Sequence, residues 1–395
     1  MNQKVSSRRY DLDWLRVLAI AGVFFYHSGR FFNAADWNIK NATMSPVLDT
    51  LLSVFELFGM QLVFLISGAS IYLALRPGRA GHFLLDRGRR LLVPLALGIL
   101  VLAPPQVYLD RLTHGEFQGS LFQFLPYYYR DWHTFFGNFD WVGVHLWYLE
   151  YLFVFTAALL PLFVALKSRA GRRVMDAVGA FSSRPGAILT WCLPFALILG
   201  LTDPLGVLRP GPPEYMARLF VYPIFVLFGF LIFADEWVQA AIARRSQRRL
   251  SLGMAVVLTL GATSVMEYVA DHPSPAVYWG GMILAALLMW SWLLAILGYG
   301  LRYLNVNHRV LPYANEAVLP FYILHQPLIL LVGYFIIPLP LPILVKYVAI
   351  AVVALGLTLG LYEFGIRRVN VMRRIFGMRA RAKEPAATRI AAPAA

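Results

Sequence analysis

The stretch YDLDWLRVLAIAGVFFYHSGRFFN, Tyr10 to Asn33, decides how the rest of the chain is read. From about residue 13 to 33 it is apolar over the length, about 20 residues, that a helix needs to cross the hydrocarbon of a bilayer. Yet it holds Arg16 and His27. The two are eleven residues apart, about three helical turns, so they share one helix face and lie roughly 16 Å apart along the axis. No small-residue cleavage site follows the run, which therefore reads as a retained helix rather than a signal peptide.

Working outward, the same ruler finds ten candidate spans, near 13–33, 50–75, 90–109, 142–166, 187–203, 216–235, 250–269, 277–300, 311–335 and 343–364. The expected fold is an all-α, polytopic bundle of about ten transmembrane helices. Composition agrees: 59% of the 395 residues are hydrophobic and only 14% charged, too few to cover a soluble surface. A net charge of +14 invites a nucleic-acid reading, but the cations lie in short clusters between apolar runs, the pattern of cytoplasmic loops. With both termini in the cytoplasm, 27 of the 35 Lys and Arg residues fall on the inner side. The expected organisation is a cytoplasmic segment over 1–12, a membrane domain over 13–365, and a basic, disordered tail over 366–395. The only cysteine, Cys192, lies in an apolar run, so neither a disulfide framework nor a thiolate metal site is expected. No cluster has metal-ligand spacing, and no metal is required.

Ionisable residues inside spans are functional candidates by default. Arg16 alone reads equally well as a snorkelling boundary residue, and His27 alone as a helix-to-helix hydrogen bond. Counting depth along each span puts Glu56, Glu150 and His325 in the same outer half as His27, so the four are candidates for one polar cavity. Glu150 and His325 have a bland alternative, each bridging two helices. A carboxylate beside His27 would hold its tautomer and raise its basicity, as a general base requires. Arg87, Arg89 and Arg90 crowd the entry to the third span, as positive-inside bias or as a phosphate clamp. The long outer loop 110–141 is rich in aromatics, among them Phe122, Phe124, Tyr127, Tyr128, Phe135, Phe136, Phe139 and Trp141. It reads as an interfacial belt or as a platform for sugar rings.

These residues resemble the signatures of acyltransferase family 3. Arg16, ten residues, then His27 matches that family's first-helix pattern. Phe64-Leu65-Ile66-Ser67-Gly68, the arginines before Leu91-Leu92-Val93-Pro94, His145-Leu146-Trp147-Tyr148-Leu149 and Phe321-Tyr322-Ile323-Leu324-His325-Gln326-Pro327 are similar to its later segments, in order, over about residues 9 to 365. Within the family the chain looks most like the branch concerned with succinylation of periplasmic glucans. The resemblance implies a multi-pass enzyme of the cell inner membrane. It would move a short acyl group, acetyl or succinyl, from cytoplasmic acyl-CoA to a hydroxyl of an extracytoplasmic carbohydrate. His27 would be the general base, or the carrier of an acyl-histidine. Arg16 would steer the donor, and Arg87, Arg89 and Arg90 would hold its phosphates. The rival reading is a transporter or flippase for an anionic or lipid-linked solute, using the same Arg and His for binding and proton coupling.

Overall fold

The computed structural model describes residues 8–76, 78–133, 137–202, 212–272 and 274–381. The expected tail beyond 381, the first seven residues, and Phe135 and Phe136 lie outside the described residues. Within them the chain is helical, with no strand. The helices are α1 (Tyr10–Gly29), α2 (Pro46–Glu56), α3 (Gly59–Ala74), α4 (Ala80–Leu97), α5 (Ala103–Thr113), α6 (Leu121–Arg130), α7 (Trp147–Leu166) and α8 (Arg169–Ser182). They continue as α9 (Cys192–Thr202), α10 (Pro212–Ala234), α11 (Glu236–Ala243), α12 (Arg245–Asp271), α13 (Pro275–Tyr303), α14 (Leu311–Ile336), α15 (Ile343–Gly360) and α16 (Asn370–Ile375).

The ten expected spans coincide with helical segments, but among the described residues only seven spans are long and apolar enough to cross a membrane, or eight if a bent pair counts as one. The shortfall has physical causes. The first helix carries Asp11, Asp13, Arg16 and His27, which lower its hydropathy. Ala187–Thr202 is apolar but short. Leu219–Ala234 ends in a 100° bend into α11, where the Asp235 side chain accepts the backbone N–H groups of Trp237 and Val238 and starts a new helix.

The polar first helix is tolerated because it is central: α1 packs against α2, α3, α13, α14 and α15. Its Leu12, Leu15, Val23 and Phe24 are all at most 3% exposed. At the α1 start, the Arg9 guanidinium donates to Asp11 and to Gln239 of α11.

One proline site departs from regular helix. Between α4 and α5 the backbone runs as a π-helical turn, Gly98–Leu102, just ahead of Pro104 and Pro105. Proline has no N–H to return to the preceding turn, so the carbonyls of Ile99 and Leu100 need other donors. Tyr128 and Tyr129 of α6 supply them, at 2.8 and 2.6 Å. The aromatic loop is therefore partly structural: Phe124, Tyr128 and Phe139 are buried against Ala103, while Phe122, Tyr127, Trp132 and Trp141 stay exposed. The loop after α1 is gathered by Lys40, whose ammonium donates to the carbonyls of Arg30, Asn33 and Ala35. Burial, reinforced by the neighbouring Arg30 cation, pushes the Lys40 ammonium down to about 8.

The closest helix crossing joins α3 and α10. A Cβ on Gly68 would stand 1.9 Å from the Val226 carbonyl oxygen, and one on Gly229 would stand 1.8 Å from that of Leu65. Small residues on both sides are what lets the two backbones touch. Gly68→Ala or Gly229→Ala should force the helices apart and cost about 1–3 kcal/mol or more. The check is the thermal unfolding midpoint in detergent, which should fall for both variants; Gly253→Ala, on open surface of α12, should leave it unchanged.

Candidate active site

Three histidines meet where α1, the start of α7 and the middle of α14 come together. The imidazoles of His27 and His325 stack at 5.1 Å between centroids and 11° between planes. His27 Nδ1 lies 3.1 Å from His325 Nε2. His325 Nδ1 in turn lies 2.5 Å from the Tyr322 carbonyl oxygen of its own helix.

Protons can be assigned from these partners. A carbonyl only accepts, so His325 Nδ1 carries the hydrogen. The neutral ring then has its lone pair on Nε2, facing His27. His27 Nδ1 must be the donor between the rings, which leaves His27 Nε2 with a free lone pair. In place of the expected carboxylate, a second imidazole orients the His27 ring. His325 is fully buried, while His27 is half-buried with Trp37 of the loop after α1 packed on its ring at 5.4 Å.

Neither carboxylate expected in this cavity reaches a histidine. The Glu56 side chain, half exposed, accepts the Tyr26 hydroxyl at 2.5 Å and lies 3.7 Å from Arg30. The Oε2 of Glu150 is buried without a hydrogen-bond partner. Equal depth on separate helices places groups at one level, but only azimuth brings them together.

Below the histidines the polar line continues. The hydroxyl of Tyr322 donates to the His145 carbonyl, and its ring meets Tyr148 edge-on at 5.6 Å. Ser67 donates to the Val63 carbonyl at 2.9 Å, so the 2.5 Å contact between Ser67 and Tyr148 is a bond donated by the tyrosine. Tyr148 lies within the electrostatic reach of both Arg87 and Arg16. Arg16 donates to Asn315 at 2.9 Å and Ser70 at 2.7 Å, with Asp13 at 3.6 Å. It is therefore fixed in place, yet half-buried rather than sealed.

Arg87 and Arg90 stand one turn apart on α4 and feel the charge of Arg16. The Arg87 Nε is buried without a partner, and Arg90 Nε donates to the Gly377 carbonyl at 3.2 Å. Arg89 is exposed and, by helical phase, on the opposite side of α4 from Arg87. Arg16, Arg87 and Arg90 thus lie within electrostatic range of one another. Among the described residues no group of three or more His, Cys, Asp or Glu is placed to hold a metal ion.

Arg16 and His27 lie on one face of a central helix, with cations at one end and a stacked histidine pair at the other. The acyltransferase domain of acyltransferase family 3 matches residues 9–363, and the chain belongs to that family. It is a membrane O-acyltransferase. Relatives include the glucans biosynthesis protein C of Salmonella typhi and that of Salmonella typhimurium strain LT2. Each is 24% identical over 385 residues, covering 93% of this chain and 94% of the relative. No solved structure matches the chain.

Sequence reasoning passed over His145, Tyr148 and Tyr322 as site residues, although all three stand inside the segments it quoted. The available signal was Pro327, which marks a gap in the hydrogen bonding of α14 at that level. His325→Leu should leave the His27 Nδ1–H with no acceptor in a dry interior, at a cost of about 1–3 kcal/mol. That loss should lower the unfolding midpoint, whereas Glu56→Gln, which keeps the Tyr26 bond at a half-exposed position, should change stability by less than about 0.5 kcal/mol.

Proposed function

We propose that this chain transfers a short acyl group, acetyl or succinyl, from cytoplasmic acyl-CoA to a hydroxyl of an extracytoplasmic carbohydrate such as a glucan. The observation that carries this reading is the free lone pair on His27 Nε2, set by the fixed tautomer of His325. In the proposed step His27 Nε2 removes the proton of the acceptor hydroxyl as its oxygen attacks the thioester carbon. The carbon–sulfur bond breaks, the CoA thiolate leaves, and the imidazolium returns the proton to it. An acyl group carried on His27 is the alternative route, and it ends in the same ester.

Arg16, Arg87 and Arg90 would hold the phosphates of the donor, since guanidinium forks match phosphate geometry and the Arg87 Nε is buried without a partner. The spacing of Arg16 and His27 along α1, roughly 16 Å, suits the reach of an extended pantetheine arm. Exposed aromatics of the outer loop, Phe122, Trp132 and Trp141, would stack on the acceptor sugar. The names of the relatives favour a glucan acceptor. The bundle would sit in the cell inner membrane with about ten crossings and both termini in the cytoplasm, which puts Arg90 on the side where CoA is found.

The test uses protein in liposomes with labelled acetyl-CoA or succinyl-CoA and added glucan. Wild type should transfer label from one donor, and His27→Ala should lose about 10²–10⁴-fold in kcat. Solute flux driven by an ion gradient, with neither donor consumed, would replace this reading by the transporter. In the same assay Arg87→Ala should raise the donor KM about tenfold or more, through loss of a charge-assisted contact, while Arg89→Ala should stay near wild type.

A further inference from the structure

His145 has no part in the steps above, yet it is 5% exposed and lies edge-on to His325, with ring centroids 5.2 Å apart. Its Nε2 stands 3.2 Å from the carbonyl oxygens of both Tyr322 and Ile323. The Ile323 carbonyl is the one whose helical partner would be the N–H of residue 327, and residue 327 is proline. The Tyr322 carbonyl is the acceptor that fixes the tautomer of His325. One N–H thus closes the gap left by Pro327 and braces the carbonyl on which the histidine pair depends.

The backbone that delivers His145 is itself strained. Gly143 has φ 69° and Val144 φ 60°, Val144 being the only non-glycine with positive φ among the described residues. A β-branched residue in that region is held there by its surroundings. The turn also receives the Tyr322 hydroxyl on the His145 carbonyl, so Tyr322 and His145 clasp each other twice.

We propose that His145 is a positioning residue of the transfer centre: by donating Nε2–H to the carbonyls beside Pro327 it sets the pose of Tyr322 and His325, and through them the tautomer of His27. The proposal rests on the acyl-transfer reading only where turnover is measured. The groups that face its ring are His325 and Tyr322 from α14 and, at longer range, His27 from α1.

The experiment compares wild type, His145→Gln and His145→Ala as full-length protein in detergent, by ¹⁵N spectroscopy of labelled histidine and by thioester turnover. Glutamine carries an N–H close to where the imidazole Nε2 stands. Wild type and His145→Gln should show the His27 proton on Nδ1, and their turnover should agree within about tenfold. In His145→Ala the His27 proton should spread over both nitrogens, with kcat falling further than donor affinity. A His145 proton on Nδ1 in wild type overturns the proposal even if the alanine variant does not fold. So does an alanine variant with unchanged His27 tautomer, or a glutamine variant as impaired as alanine. If wild type consumes no thioester but the tautomer pattern holds, the acyl-transfer reading fails and the positioning role stands.

Discussion

A backbone carbonyl inside a bilayer has no water to turn to, so one freed by proline must find a donor in the protein or be paid for in stability. The structure meets that constraint at two of its proline sites in the same way. At Pro104 and Pro105 the donors are two tyrosines, and the result is an aromatic loop pinned to a π-helical turn. At Pro327 the donor is a histidine, with a second histidine on the neighbouring carbonyl and a third stacked on the second. The candidate base owes its orientation to this local repair.

Much of the bundle was legible because hydrophobic length is a local property. All ten expected spans coincide with helical segments, and the eleven-residue spacing of Arg16 and His27 needed only the pitch of a helix. The bend after Ala234 and the break between Glu56 and Gly59 were not legible. They depend on capping by Asp235 and on packing of neighbouring helices, which an apolar count does not record.

The site was legible in part for the same reason. His27 and His325 stand together as depth suggested, but depth fixes only one of three coordinates. Glu56 turned to Tyr26 and Arg30 at the rim, and the buried Oε2 of Glu150 found no hydrogen-bond partner. Arg87 and Arg90 separate from Arg89 because α4 turns by about 100° per residue. His145 was invisible as an actor because its importance lies in what Pro327 cannot donate, a relation between distant segments.

The order of hydrogen bonds through the histidine pair also bears on the direction of proton flow. The chain of donors runs from His27 to His325 and stops at a peptide carbonyl, which does not take up a proton under biological conditions. A proton captured at His27 can be shared with its neighbour but not handed onward to the far side of the bundle. The pair is a cul-de-sac rather than a wire. In the proposed cycle, charge gathered there would leave by the way it came, onto whatever leaving group occupies the same face. That geometry suits a self-contained transfer cycle and would short-circuit nothing across the membrane.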